Sequence, residues 1–217
     1  MEESLKFLLK TPLFSGLSEE TAERLLRELT VRRRQYDRDE VILRAGETVT
    51  AFGIVLSGAA RLERADPYGN REILGSVRPG ELFAEVFACL GDLPVQVTVA
   101  ADAPCEVLFL KIDGLFRPEF TQVLHRFLRI LAQKNYLLTE KLRHVSRRSI
   151  RDKLLSYLDA ERRRAGTKLF TIPFDRQQLA DYLAIDRSAM CRELGRMKAE
   201  GLIDYDRKTF RLMTHSY

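Results

Sequence analysis

The sequence predicts an α+β chain in three parts: a β-rich domain behind short N-terminal helices, one long helix, and a compact C-terminal winged helix-turn-helix. Three observations predict it. Between Thr30 and Leu110, short β-rich runs recur at near-regular spacing and are punctuated by Gly and Pro, the pattern of a closed or double-sheet β architecture. After Pro118 a helical pattern continues to Val145 without Gly or a further Pro. Between Phe174 and Gly201 two short helical stripes flank a tight turn, and a hairpin-like stretch follows.

Residues 1–28 read as helical. Leu5, Leu8 and Leu9 form one stripe, and Ser18 with Glu19 and Glu20 opens a second helix whose Leu25, Leu26 and Leu29 face a core. The expected strands are Val41–Leu43, Phe52–Leu56, Ala60–Arg64, Glu72–Val77, Val95–Ala100 and Cys105–Leu110. Gly46, Gly58, Asp66-Pro67-Tyr68-Gly69, Pro79-Gly80, Gly91 and Ala103-Pro104 separate them. Arg32-Arg33-Arg34 reads as a solvated strand edge.

In the long helix Leu124, Leu131, Leu138 and Val145 repeat every seven residues, with Phe127, Leu128, Asn135 and Leu142 beside them. Such a stripe packs either on the chain's own barrel or in a two-helix seam between subunits, and the seam is the favoured reading. Ser146-Arg147-Arg148-Ser149 is a polar break. The expected domains are therefore 1–117, a helix over 118–145, and 146–217. Ile150 to Arg163 is amphipathic (Leu154, Leu155, Leu158) and ends near Gly166; Arg162-Arg163-Arg164 is either a solvated helix end or a phosphate contact. Leu169 to Ile172 is a short strand.

In the C-terminal head Asp175 can cap a helix with Gln178 as its capping-box partner, and Leu179, Tyr182 and Leu183 give that helix an apolar stripe. Asp186 can cap a second helix from Arg187, in which Met190, Leu194 and Met197 face inward. Gly201 suits the left-handed position past its end. Arg187, Ser188, Cys191, Arg192, Gly195 and Arg196 remain on the outer face, a narrow, basic strip. A major groove about 12 Å wide admits one helix, and the fork of Arg matches guanine O6 and N7 together. Leu202 to Leu212 reads as a wing with a charged tip.

Composition agrees. The chain is 45% hydrophobic and 31% charged, as in a globular protein. Its apolar runs are all shorter than the roughly 18 residues that a membrane span needs. MEESLKFLLK is no secretory signal, and no membrane association is expected. Cys89, Cys105 and Cys191, odd in number and without a CxxC pair, suggest reduced thiols in a cytoplasm. From Ser146 onward there are 16 Lys and Arg against 10 Asp and Glu, whereas residues 1–145 hold 20 against 21. The excess positive charge sits in the head, the electrostatic footprint of a phosphate-binding module.

The order helix, β-roll, long helix, winged helix-turn-helix resembles the bacterial family of the cyclic-AMP receptor protein and the fumarate–nitrate regulator, over nearly the whole chain. Pro79-Gly80-Glu81-Leu82-Phe83-Ala84-Glu85 resembles the family's phosphate-binding cassette. Arg176 through Ala180, Asp186 through Met190, Leu194 through Met197 and Glu200 through Ile203 resemble its helix-turn-helix, the more specific signature. The resemblance implies a double-stranded β-helix, or jelly-roll, of the cyclic-nucleotide-binding kind. It also implies a homodimer joined through residues 118–145, and a transcription regulator that recognises a palindromic site in double-stranded DNA, with a small effector received in the roll. RNA polymerase is a further candidate partner. By position Arg187, Ser188 and Arg192 would face base edges and Arg176 and Arg196 phosphates. Many relatives carry Glu where this chain has Ser188, so no half-site sequence is carried over.

The cassette departs from the cyclic-nucleotide pattern. Glu85 is present, but the stretch where relatives clamp the cyclic phosphate with an Arg-Ser/Thr pair is here Leu93-Pro94-Val95-Gln96-Val97-Thr98, with no Arg between Arg78 and Arg117. A buried phosphate without a cation is expensive, so an effector other than cyclic AMP is expected. Phe83, Glu85, Val86, Phe87, Cys89, Val95 and Val97 are the candidate lining of an effector pocket suited to an apolar or weakly polar ligand, or else filler of the roll. Asn135 and Tyr136 lie on the long helix where relatives contact the ligand; polar residues there can instead set helix register. For Cys89 the favoured reading is a buried, structural thiol and the sharper one a redox- or ligand-reactive thiol; for Cys191, on the outer strip, oxidation that blocks DNA binding is the disfavoured reading.

Other chemistries lack their residues. A thiolate-held iron–sulfur cluster needs about four Cys. His125, His144 and His215 all lie outside the roll, which leaves no usual axial haem ligand there and no His cluster for a cupin-like metal enzyme, the alternative reading. No nucleophile triad or phosphate-cradling Gly-rich loop is found, so no catalysis, cofactor or bound metal is expected. A ligand-binding module whose winged helix docks protein is a third reading, which the basic head disfavours.

Overall fold

The computed structural model describes residues 2–65 and 71–213; Asp66-Pro67-Tyr68-Gly69 and His215 lie outside the described residues. The chain divides into two compact units, Met1–Leu131 and Ala132–Tyr217.

In the first unit, helix α1 (Glu2–Leu8) and helix α2 (Glu19–Leu29) precede the sheet. Ser18 caps α2 by accepting from the Thr21 amide at 3.2 Å, and Leu25 and Leu29 are buried while Leu26 is half-buried. The strands are β1 (Thr30–Tyr36), β2 (Val41–Leu43), β3 (Ala51–Ala65), β4 (Arg71–Val77), β5 (Leu82–Phe83) and β6 (Thr98–Lys111), with helix α3 (Glu85–Leu90) after β5. All pairings are antiparallel. The order is β1-β6-β3-β4, with β2 also on β6 and β5 also on β3, giving the jelly-roll of an α+β chain.

The strand pattern differs from expectation in several places. Gly58 and Ala103-Pro104 do not separate strands: β3 and β6 each run through them, with register shifts near Ser57 and Ala59. Gly58 has φ +74°, and a Cβ there would collide with the Pro104 carbonyl and with Cys105. Turn-forming residues also mark bulges, and the sequence signal is the same for both. Val95 to Val97 lie before β6. Val95 is instead held by its backbone, accepting from the Gly46 amide at 2.7 Å and donating to the Glu47 carbonyl at 2.8 Å.

Two apolar clusters fill this unit. One joins α1, α2 and the sheet through Leu8, Phe14, Leu25, Phe52, Ile54 and Leu110, and it takes in Val123 and Phe127 from the long helix. The other lies among the strands, with Tyr36, Val55, Phe83, Val99, Val107 and Phe109. The three arginines of β1 are engaged within the chain: Arg32 lies 4.4 Å from the centre of the Phe109 ring, Arg33 bonds Glu106 at 2.7 Å and Arg34 bonds Glu40 at 2.6 Å.

Helix α4 spans Thr121–Val145. Phe127, expected beside the heptad stripe, is buried against Phe52 with ring centres 5.2 Å apart, and Leu124 and Leu131 are half-buried on the same core. The helix's first half therefore packs on its own roll. Farther along, Leu138 and Leu142 are each 62% exposed.

The second unit continues with α5 (Ile150–Ala165), β7 (Leu169–Thr171), α6 (Arg176–Leu183), α7 (Arg187–Ala199), β8 (Ile203–Asp206) and β9 (Thr209–Leu212). Ser149 caps α5, and Gly166 ends it in the left-handed conformation. Leu154, Leu158, Leu179, Leu183, Met190, Leu194, Met197 and Phe210 form one core. Strand β7 does more than lead into α6: it pairs with β9 and completes a three-stranded sheet in the order β7-β9-β8. No helix among the described residues is long and apolar enough to cross a membrane.

Candidate nucleic-acid interface

The two helices of the head are built locally, as their capping residues dictate. Asp175 accepts from the Gln178 amide while the Gln178 side chain accepts from the Asp175 amide, both at 2.9 Å, a complete capping box for α6. Ala184 ends α6 at φ +50°. Two residues later Asp186 accepts from the Ala189 amide at 2.7 Å and starts α7. Gly201, at φ +71°, follows the end of α7.

Met190, Leu194 and Met197 are buried, whereas Arg187, Ser188, Cys191, Arg192, Gly195 and Arg196 are exposed along the other face. Among the described residues neither Arg187 nor Arg192 forms an ion pair. Arg196 has a weak one, 3.6 Å to Glu193. The N-terminal turns of α7 thus present two uncommitted guanidinium groups around a serine, the chemistry of base-edge contact.

Arg176 is placed differently. It is half-buried at the start of α6, with its guanidinium 5.0 Å from the centre of the Tyr205 ring and 5.1 Å from that of Phe210. Lys198 approaches Tyr205 from α7 at 5.0 Å and bonds Asp204 at 2.7 Å. That bond, with the charge of the pair, raises the Lys198 pKa and lowers that of Asp204. These cation–aromatic contacts tie the wing hairpin to both helices. At the hairpin tip Arg207 is exposed at φ +48°, and Lys208 donates to the Pro173 carbonyl at 3.0 Å. Arg207 is a cation that the sequence reading did not single out; its place in a two-residue tip between Asp206 and Thr209 was the available signal.

Arg162 and Arg163 both pair with Asp159, and Arg164 pairs with Glu161, as on a solvated helix end. One contact without a sequence signal is Arg151 of α5, which bonds Glu193 of α7 and Glu200 just past its end.

In the roll the expected effector residues fall into several environments. Phe83 is buried edge-on to Phe109 at 5.9 Å, close over Gly53, and Val95 is buried as well. Glu85 is buried at the first position of α3, where the helix dipole favours a carboxylate. Phe87 and Val97 are half-buried. Val86, 49% exposed, and Cys89 face outward. The expectation of a buried, structural Cys89 is therefore corrected: a one-and-a-half-turn helix, unforeseen after the cassette, carries it to the surface. Desolvation and then the Glu85 carboxylate both raise its thiol pKa, so it is not an activated thiolate. Asn135 and Tyr136 belong to the second unit and are exposed.

The one arginine buried among the described residues is Arg61, on the face of β3 opposite Ala60 and Leu62. It bonds Glu63 at 2.9 Å, Asp39 at 2.8 Å and the Ala101 carbonyl at 2.8 Å, with Asp102 at 3.8 Å. Its charge is balanced within the chain.

A β-roll followed by a long helix and a winged helix-turn-helix with an exposed basic strip is the architecture of a DNA-binding regulator. Comparison with known proteins specifies the family. Residues 33–117 match the cyclic nucleotide-binding domain and residues 152–214 the Crp-like helix-turn-helix domain. The cyclic AMP receptor protein of Thermus thermophilus is 26% identical over 201 residues, covering 89% of this chain and 88% of that protein. A cAMP-dependent protein kinase regulatory subunit of Mycosarcoma maydis is 33% identical over 119 residues, 55% of this chain; the match spans only 22% of that protein's length. The c-di-GMP responsive global regulator CLP of Xanthomonas campestris shares the fold, with TM-score 0.52 and 20% identity over 91% of this chain and 100% of that one. The chain belongs to the Crp/Fnr family of transcription regulators, which are not enzymes.

Proposed function

We propose that this regulator acts as a homodimer on a palindromic DNA site and answers to a small effector other than cyclic AMP. Residues 1–117 would be the sensory domain, 118–145 the dimerisation helix and 146–217 the DNA-binding head. The observation that carries the DNA reading is the outer strip of α7. Arg187, Ser188 and Arg192 face solvent opposite the buried Met190, Leu194 and Met197, and among the described residues the two arginines form no ion pair. Arg187 and Arg192 read base edges with Ser188 between them, and Arg196 meets a phosphate. Arg176, stacked on the wing, reaches a phosphate only as a second role.

The homodimer reading is supported by Leu138 and Leu142, large apolar side chains left in water on α4. Two heads one helical turn apart match a two-fold symmetric site. The effector reading is supported by the lack of a spare buried arginine among the described residues. Arg61, the buried cation, is already engaged by Glu63 and Asp39, and Leu93 to Thr98 offers no other. Phe83, Glu85, Phe87, Val95 and Val97 remain the proposed effector contacts within the roll. A cytoplasmic regulator that meets RNA polymerase at a promoter completes the reading.

The test is selection of duplexes from a random pool by the purified protein, followed by affinity measurement with Arg187→Ala. A two-fold symmetric consensus, with preference relaxed at one position per half-site at a cost of about 1–3 kcal/mol, is expected. An unchanged preference in Arg187→Ala overturns the docking of α7.

A further inference from the structure

Helix α7 is buried along one face and bare along the other, so what grips its flank sets its rotation. Arg151, in the first turn of α5, grips it twice. Its Nε donates to Glu193 Oε1 at 2.6 Å, and its Nη1 and Nη2 donate to the two oxygens of Glu200, each at 2.8 Å. Glu193 lies in the middle of α7 and Glu200 caps its end, about two helical turns apart. One planar fork therefore holds the helix at two heights, a geometry that a lysine cannot copy. The Glu193 side chain is only 14% exposed, so the inner contact is sheltered from water. Glu193 also faces Arg196 of the outer strip.

We infer that Arg151 is a positioning residue for DNA recognition, fixing the rotation of α7 and so the register of Arg187, Ser188 and Arg192 against the bases. This rests on the reading of α7 as the helix that enters the groove. A rotation of roughly 10° moves a side-chain tip on a helix of about 5–6 Å radius by about 1 Å. Hydrogen bonds to base edges tolerate only a few tenths of an ångström. Arg151 itself spends three N–H groups on its own chain, which separates it from the phosphate-contacting cations.

The experiment uses the full chain with Arg151→Gln, Arg151→Lys and Glu200→Gln. Affinity is measured for the selected duplex and for a scrambled duplex of equal length, well below each protein's melting temperature. Arg151→Gln should lose about tenfold on the selected duplex, the scale of lost charge-assisted bonds, with affinity for the scrambled duplex and its salt slope unchanged. Arg151→Lys should lose nearly as much, because charge without the fork does not fix the helix. A lower melting temperature with an unchanged ratio of selected to scrambled affinity would make the contact merely structural and overturn the inference. Equal losses on both duplexes, with the salt slope reduced by about one, would make Arg151 a phosphate contact and overturn it too. A wild-type protein that does not distinguish the duplexes would instead remove the groove reading, and this inference with it. Should Arg151→Gln fail to fold, Arg151→Lys and Glu200→Gln decide the matter by the same ratio.

Discussion

His144 Nδ1 lies 2.8 Å from Ser156 Oγ, joining the last turn of α4 to the middle of α5. The His144 ring is buried, edge-on to Tyr157 at 5.8 Å and tilted against Tyr182 at 6.4 Å, while Lys141 lies 5.5 Å from the centre of the Tyr182 ring. The joint between α4 and the head is thus an aromatic cluster around one titratable ring.

Burial lowers the His144 pKa from its ordinary 6.5, and Arg143, Arg147 and Arg163 push the same way against Glu140. As pH falls through 6.5 the unfolded chain takes up a proton that the folded ring resists. In the window down to the lowered folded value the unfolded state binds more protons, and stability falls with pH. Thermal melts between neutral and mildly acidic pH should show this slope in the wild type and a flatter one in His144→Phe. Equal slopes would assign the acid sensitivity elsewhere.

Asp186→Ala removes the acceptor that starts α7 and should cost about 1 kcal/mol in chemical unfolding of the head. Asp186→Asn should retain most of it, since the amide oxygen also accepts from the Ala189 amide.

Leu138→Arg with Leu142→Arg places charge on exposed helix positions and should leave the circular dichroism of the chain unchanged. If these leucines form the subunit seam, sedimentation equilibrium should show the dimer weakened at least about 100-fold, the scale of unburying several leucines. An unchanged dimer would move the interface elsewhere.

Affinity for the selected duplex should fall by orders of magnitude between about 50 and 200 mM salt if several phosphates are neutralised. Arg207→Ala at the wing tip should lower the slope by about one without altering base preference. An unaffected slope would leave the wing tip outside the interface.

Gly58→Ala should destabilise the roll by more than about 1 kcal/mol, since the backbone is left-handed there and the Pro104 carbonyl fills the space of a Cβ. The melting temperature measures it, with Gly166→Ala, left-handed but with open space around it, as the milder control.

The sequence by itself determined what depends on neighbours a few residues apart. The caps at Asp175 and Asp186, the buried Met190, Leu194 and Met197, and the basic strip opposite them follow from helical spacing and short side chains, and they specify the helix-turn-helix. The long helix and the roll were legible for the same reason, from periodicity. Only the tertiary structure decided whether Gly58 and Pro104 break a strand or bulge it, because that depends on the strand alongside. It decided that Phe127 serves the roll and that Cys89 faces outward, since burial is set by packing partners distant in sequence. The same holds for Arg176 on the wing aromatics and for Arg151 on Glu193 and Glu200. Charge pairs separated by tens of residues leave no periodic trace, and they form only when folding brings α5, α7 and the wing together.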